Sequence, residues 1–84
     1  MIQNTSLDAY KVLQPELGRL QQEIYDVIVE NPGMSNHDIA RYKNMEINRV
    51  VPRVKELREL GLVVFSNYKQ DRITKRTVMC WKIP

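Results

Sequence analysis

The stretch NMEINRVVPRVKELRELGLV, residues 44–63, carries a proline in the middle of a run that otherwise has a helix's spacing. Ile47, Val50, Val54 and Leu57 recur at i, i+3, i+7 and i+10, with Leu60 near the end. That is one face of a 3.6-residue period and not the alternation of a strand. Gly61 supplies the stop. Because the period runs through Pro52 without slipping, the spacing predicts one bent helix over 46–60 rather than two pieces. At about 100° per residue Pro52 points away from Val50, Val54 and Leu57 and stands beside Asn48, Lys55 and Glu59. The carbonyl it deprives of a partner, that of Asn48, then lies on the outer face, where water or a ligand can satisfy it. A mid-helix proline costs roughly 3 kcal/mol, and an outward one near the start goes with the outward-convex bend of a surface helix. The outer face of this helix is therefore the part that folding alone does not explain.

The rest of the chain bounds what that face can serve. Eighty-four residues make one small domain with a single modest core. Cys80 is the only cysteine, which excludes an internal disulfide and a cysteine-built zinc cage. Nothing reads as a signal peptide or a membrane span, so the expected location is the cytoplasm, with no membrane partner. The net charge of +3 is unevenly placed. Up to residue 40 two cations face six carboxylates; after it eleven cations face four. Solvated charge can scatter this way, but a split this steep is also the footprint of a basic face for an anionic partner, most often nucleic acid.

Residues 1–14 hold one short helical turn, Ser6 to Val12, and no longer pattern, and read as an N-terminal arm. Residues 15–84 read as one domain. After Pro15, Leu17, Leu20, Ile24, Val27 and Ile28 predict an amphipathic helix of about four turns, which NPG at 31–33 stops. Ser35 with Asp38 has the form of a capping box and opens a short second helix with Ile39 and Ala40 inward. YKN at 42–44 turns the chain into the proline-bearing helix. Beyond Gly61, LVVFS and TVMCWKIP are strand-like and flank the basic NYKQDRITKR, a hairpin with a long tip spanning 67–76. Helix, helix, tight turn, helix, strand, strand is an α+β order. It is that of a winged helix-turn-helix: a three-helix core with a C-terminal two-stranded β-hairpin wing.

SNHDIARYKNMEINRVVPRVKELRELGLV, with its capped short helix, tight turn and Leu-x-x-x-Gly-Leu-Val ending, is similar to the core of MarR-like winged-helix regulators. The longer run from AYKVL and LGRLQQEIYDVI to KRTVMCW resembles small winged-helix proteins of phages and prophages. Val50-Val51-Pro52-Arg53-Val54, Leu57, Gly61, Leu62, Arg76 and Trp81 carry the likeness. It implies double-stranded DNA as partner and transcription regulation in a phage or bacterium as role. One departure stands out: MarR regulators dimerise through long helices at both ends, whereas here a short arm precedes the first helix and nothing follows the hairpin. A homodimer, or a protein partner met through the arm and the acidic first helix, stays open.

In this docking mode Asn48, Arg49 and Pro52, flanked by Arg53 and Lys55, meet the major groove. Asn suits adenine, Arg suits guanine, and a proline ring can pack on a thymine methyl. The bland alternative is a solvated face with a Lys55–Glu59 pair at i, i+4. Ser35 at the second helix start, and Lys69, Arg72, Lys75 and Arg76 in the wing, are candidates for phosphate or the minor groove. Tyr68 and His37 read better as surface residues, and Trp81, with Met79 and Ile83, as core. His37 with Asp38 or Cys80 gives neither a nucleophile–base spacing nor a metal cage, so no catalysis, metal or cofactor is expected. A rival reading is a protein-docking winged helix, or an accessory subunit of a phage replication or packaging complex.

Overall fold

The computed structural model describes residues 17–84; the expected arm at 1–14 and Pro15 lie outside the described residues. The order is α1 (Arg19–Glu30), β1 (Met34–Ser35), α2 (Asn36–Lys43), α3 (Ile47–Glu59), β2 (Val64–Gln70) and β3 (Thr77–Lys82).

Helix α1 turns Ile24, Val27 and Ile28 inward, as its period predicts, and buries Tyr25 as well, which the period does not include. It starts at Arg19, where the Gln21 side chain accepts the Gly18 N–H at 2.8 Å, and its 12 residues make little more than three turns, not four. Asn31 closes it, its backbone and side-chain N–H groups both donating to the Val27 carbonyl. Gly33, at φ +94°, then donates its N–H to the Trp81 carbonyl at 2.8 Å. That bond begins a pairing absent from the sequence reading, Met34 opposite Trp81 and Ser35 opposite Cys80. The expected hairpin is present as β2 and β3, and β1 joins it to make a three-stranded antiparallel sheet in the order β1-β3-β2. A two-residue strand has no alternation to detect.

The Ser35 capping box forms: the Asp38 N–H donates to Ser35 Oγ and the Ser35 N–H to Asp38 Oδ2, each at 3.1 Å. Helix α2 buries Ile39 and Ala40 and ends on Asn44 in the left-handed region, φ 54°. Asparagine tolerates that conformation better than most residues. The Met45 N–H returns to the Ala40 carbonyl at 2.9 Å, closing the tight turn into α3.

Helix α3 runs unbroken through Pro52, which is exposed, and seats Val50, Val54 and Leu57 in the core. Its exit is a Schellman turn. The Leu62 N–H reaches the Leu57 carbonyl and the Gly61 N–H the Arg58 carbonyl, both at 3.0 Å, with Gly61 at φ +76°. This corrects the place of Leu60, the C-cap residue, which is 46% exposed; Leu62, swung back by the turn, fills the core beside Leu57 instead.

Strands β2 and β3 pair from Val64 opposite Lys82 to Gln70 opposite Thr77, with one extra residue at Ser66 where the register shifts. Central β3 buries Trp81, with Met79 and Ile83 packed against the same core. Trp81 donates its indole N–H to Asn36 Oδ1 at 2.9 Å, and the Arg58 guanidinium lies 4.6 Å from its ring. The sheet is thereby pinned to the start of α2 and the end of α3.

Candidate nucleic-acid interface

Packing three of its side chains inward leaves α3 with an outer face bounded by two flanks. On one flank stands α1. Gln21 donates to Glu56 Oε1 at 2.7 Å and Arg53 to Glu56 Oε2 at 2.8 Å, while Arg49 borders a hollow shared with Leu20, Glu23 and Met45. On the other flank stands the sheet, where Ile47 and Val51 face Val78, Met79 and Trp81 across a notch of about 230 Å³. Between the flanks Asn48, Pro52 and Lys55 are exposed, and Lys55 reaches Glu59 at 3.7 Å, the i, i+4 pair of the bland reading.

The wing is built on a carboxylate. Asp71, 1% exposed, receives the Arg41 guanidinium on both oxygens at 2.8–3.1 Å. The same carboxylate accepts the N–H groups of Ile73 at 3.1 Å and Thr74 at 2.8 Å, and so shapes the tip. The Asp71 N–H pairs with the Arg76 carbonyl, and Lys75 takes φ 66° to complete the turn. The Arg41 hydrogen bonds and the Thr74 N–H hold the Asp71 carboxyl well below the usual carboxylate range. A second tie joins Lys69 to Asp38, which also bonds Arg41 at 3.4 Å. Burial pushes the Asp38 carboxyl up, but the Lys69 ammonium and the Ser35 N–H outweigh it, so the group titrates below 3.8. Raised in turn by its bond to Asp38, Lys69 stays charged.

These contacts sort the ten residues expected to meet DNA. Asn48, Pro52 and Lys55 lie on the outer face of α3, Arg49 at its α1 edge, and Arg72, Lys75 and Arg76 on the wing, all exposed. Three are diverted. Ser35 is fully buried with its hydroxyl capping α2, so it offers nothing to a phosphate. Arg53 is turned to Glu56 beside α1, its Nε buried without a partner. Lys69 is tied back to Asp38. The residues that sequence spacing missed are Arg41 and Asp71, whose partnership spans 30 positions, and Val51, which is 45% exposed although it sits in an apolar run.

The remaining candidates hold no chemistry of their own. Tyr68 packs tilted on Phe65, ring centres 4.9 Å apart. His37 is half-buried at the notch. Burial pushes the Cys80 thiol up, away from the reactive thiolate. Among the described residues no His, Cys, Asp and Glu group could hold a metal, and no helix is long and apolar enough to cross a membrane.

No protein-family model and no curated protein matches the chain. Solved structures do. The zinc-responsive MarR-family member ZitR of Lactococcus lactis superposes with a TM-score of 0.66 at 21% identity, covering 83% of this chain and 45% of that one. FabT of Streptococcus pneumoniae, solved in complex with DNA, gives 0.66 at 13% identity, over 94% of this chain and 55% of that one. A MarR protein from Peptoclostridium difficile gives 0.64 at 23%, over 94% and 49%. The fold is that of a MarR-type winged helix. At these identities the likeness extends to the fold alone, and the chain spans about half the length of the structures it matches.

Proposed function

We propose that residues 15–84 form a double-stranded DNA-binding domain of a small phage or bacterial transcriptional regulator, with 1–14 as an appended arm. Helix α3 enters the major groove with Asn48 and Pro52 foremost and Arg49 at the edge. The wing lies on the neighbouring backbone and offers Arg72, Lys75 and Arg76. One observation carries the reading. Acids neutralise Arg41, Lys43, Arg53, Lys55 and Lys69 at 4 Å or less. Among the described residues no acid does so for Arg49 or for the three cations of the wing tip. Arg58, held over Trp81, and Lys82 also lack an acid, so four of the six cations left over stand at α3's α1 edge or on the wing tip.

Fluorescence titration of a random duplex over a range of salt tests it. About four phosphate contacts give a log–log slope of roughly −3 to −4. Failure to bind random duplex at tens of micromolar in low salt rejects the reading, and a bound acidic protein in its place would support the docking alternative.

A further inference from the structure

The outer sector of α3 has an unusual composition for a surface helix. At 100° per residue Val51, Asn48 and Pro52 fall within a sector of about 100°, with Asn48 between the other two. Pro52 is exposed and Val51 is 45% exposed, yet neither contributes to the core, which is complete with Val50, Val54 and Leu57. Val51 is also continuous with the notch formed with Met79 and Trp81. Arg49 lies about 60° beyond Pro52, at the α1 edge. In its first two turns the sector thus presents one amide between two apolar surfaces and no guanidinium; Lys55 and Glu59, farther along the same sector, are paired with each other at 3.7 Å.

Each base pair meets such a sector differently. Adenine offers N6 and N7, which a single amide matches with two hydrogen bonds, and its thymine partner offers a C5 methyl group. Guanine and cytosine place O6 and the N4 amino group there, and apolar side chains strip water from these without returning a hydrogen bond. We infer that Val51 and Pro52, on either side of Asn48, read thymine methyl groups, so that α3 selects A·T pairs at the positions it covers. Val51 is a specificity residue on this account, and the inference rests on the DNA-binding reading above.

Selection of sites from random duplex, followed by replacement of single thymines with deoxyuracil, tests it, because uracil lacks only the methyl. The expected result is A·T pairs at the core of the selected site and about a fourfold loss of affinity for each methyl removed at a contacted position. In Val51→Ser, which removes both methyl groups, at least one thymine should become indifferent to the replacement. Core G·C pairs, no preferred site, or equal binding of thymine and uracil duplexes overturns the inference and leaves DNA binding standing. Absence of binding to any duplex removes both.

Discussion

Helix α3 and the wing loop at 71–76 are the two regions proposed to meet DNA, yet different forces hold them in place. Val50, Val54 and Leu57 anchor α3 by burial, each 1% exposed or less. In the loop only Asp71 is buried, and its grip is electrostatic: Arg41 from α2 and two N–H groups of the loop itself. Apolar burial is indifferent to pH and to modest salt, whereas a carboxylate latch depends on its ionisation. The position of α3 is therefore part of the fold's global stability, and the shape of the wing is a local property that can be lost while the core persists.

The largest effect falls on the helix. Leu57→Ala should cost about 2–5 kcal/mol, the range for a large buried side chain cut to alanine, read as a lowered denaturant midpoint with loss of α3 and wing together. A wing that melted first in this variant would break the division drawn here.

Asp71→Asn should do the opposite. The global midpoint moves far less than in Leu57→Ala, while exchange of the Ile73 and Thr74 amides quickens by about tenfold or more, as charge-assisted bonds become neutral ones. Duplex binding weakens as the wing cations lose their placement. The pH dependence follows from the depressed pKa. The latch contributes fully above the ordinary value of 3.8 and is lost only as pH falls through the lower folded value. Wing amides in the native protein should therefore stay protected at pH 4, and loss of protection already at pH 5 would contradict the latch.

The two regions also differ in how legible they are from sequence. Val50, Val54, Leu57 and Gly61 declare α3 and its end through spacing, and Ser35 with Asp38 declares the start of α2, because those interactions are local. The Arg41–Asp71 and Lys69–Asp38 ties join residues some 30 apart. Asp71 therefore reads as a stray acid in a basic tip, and Lys69 as a free cation. Diversion of Arg53 toward Glu56 depends on the approach of α1, and strand β1 depends on Trp81. Neither leaves a periodic trace. The period places Leu60 on the inner face because it says nothing of where a Schellman turn hands the core to Leu62.

Next in size is the wing's charge. Arg72→Ala combined with Lys75→Asn removes two cations with no acid partner, asparagine being chosen because Lys75 sits at φ 66°. Affinity for every duplex should fall alike and the salt slope should flatten by about two units. A loss confined to one preferred sequence would mean that the wing reads bases, and would move specificity away from α3.

The smallest change returns to Pro52. Its ring is exposed and α3 continues past it, so Pro52→Ala removes no core contact and restores an N–H to the Asn48 carbonyl. One hydrogen bond brings about 1 kcal/mol. The freer unfolded chain takes back about 0.4–1 kcal/mol. Thermal melts should accordingly show a protein level with the parent or more stable, by at most the roughly 3 kcal/mol that a mid-helix proline costs, whereas binding to a preferred duplex weakens, because a change in the path of α3 shifts Asn48 against the wing and one apolar surface is gone. Random duplex, held through phosphates, should be bound as before. Stability and specificity would then separate at one residue, as expected if the proline serves the outer face alone. A fall in stability of several kcal/mol would instead show that the proline is part of how α3 packs between α1 and the sheet.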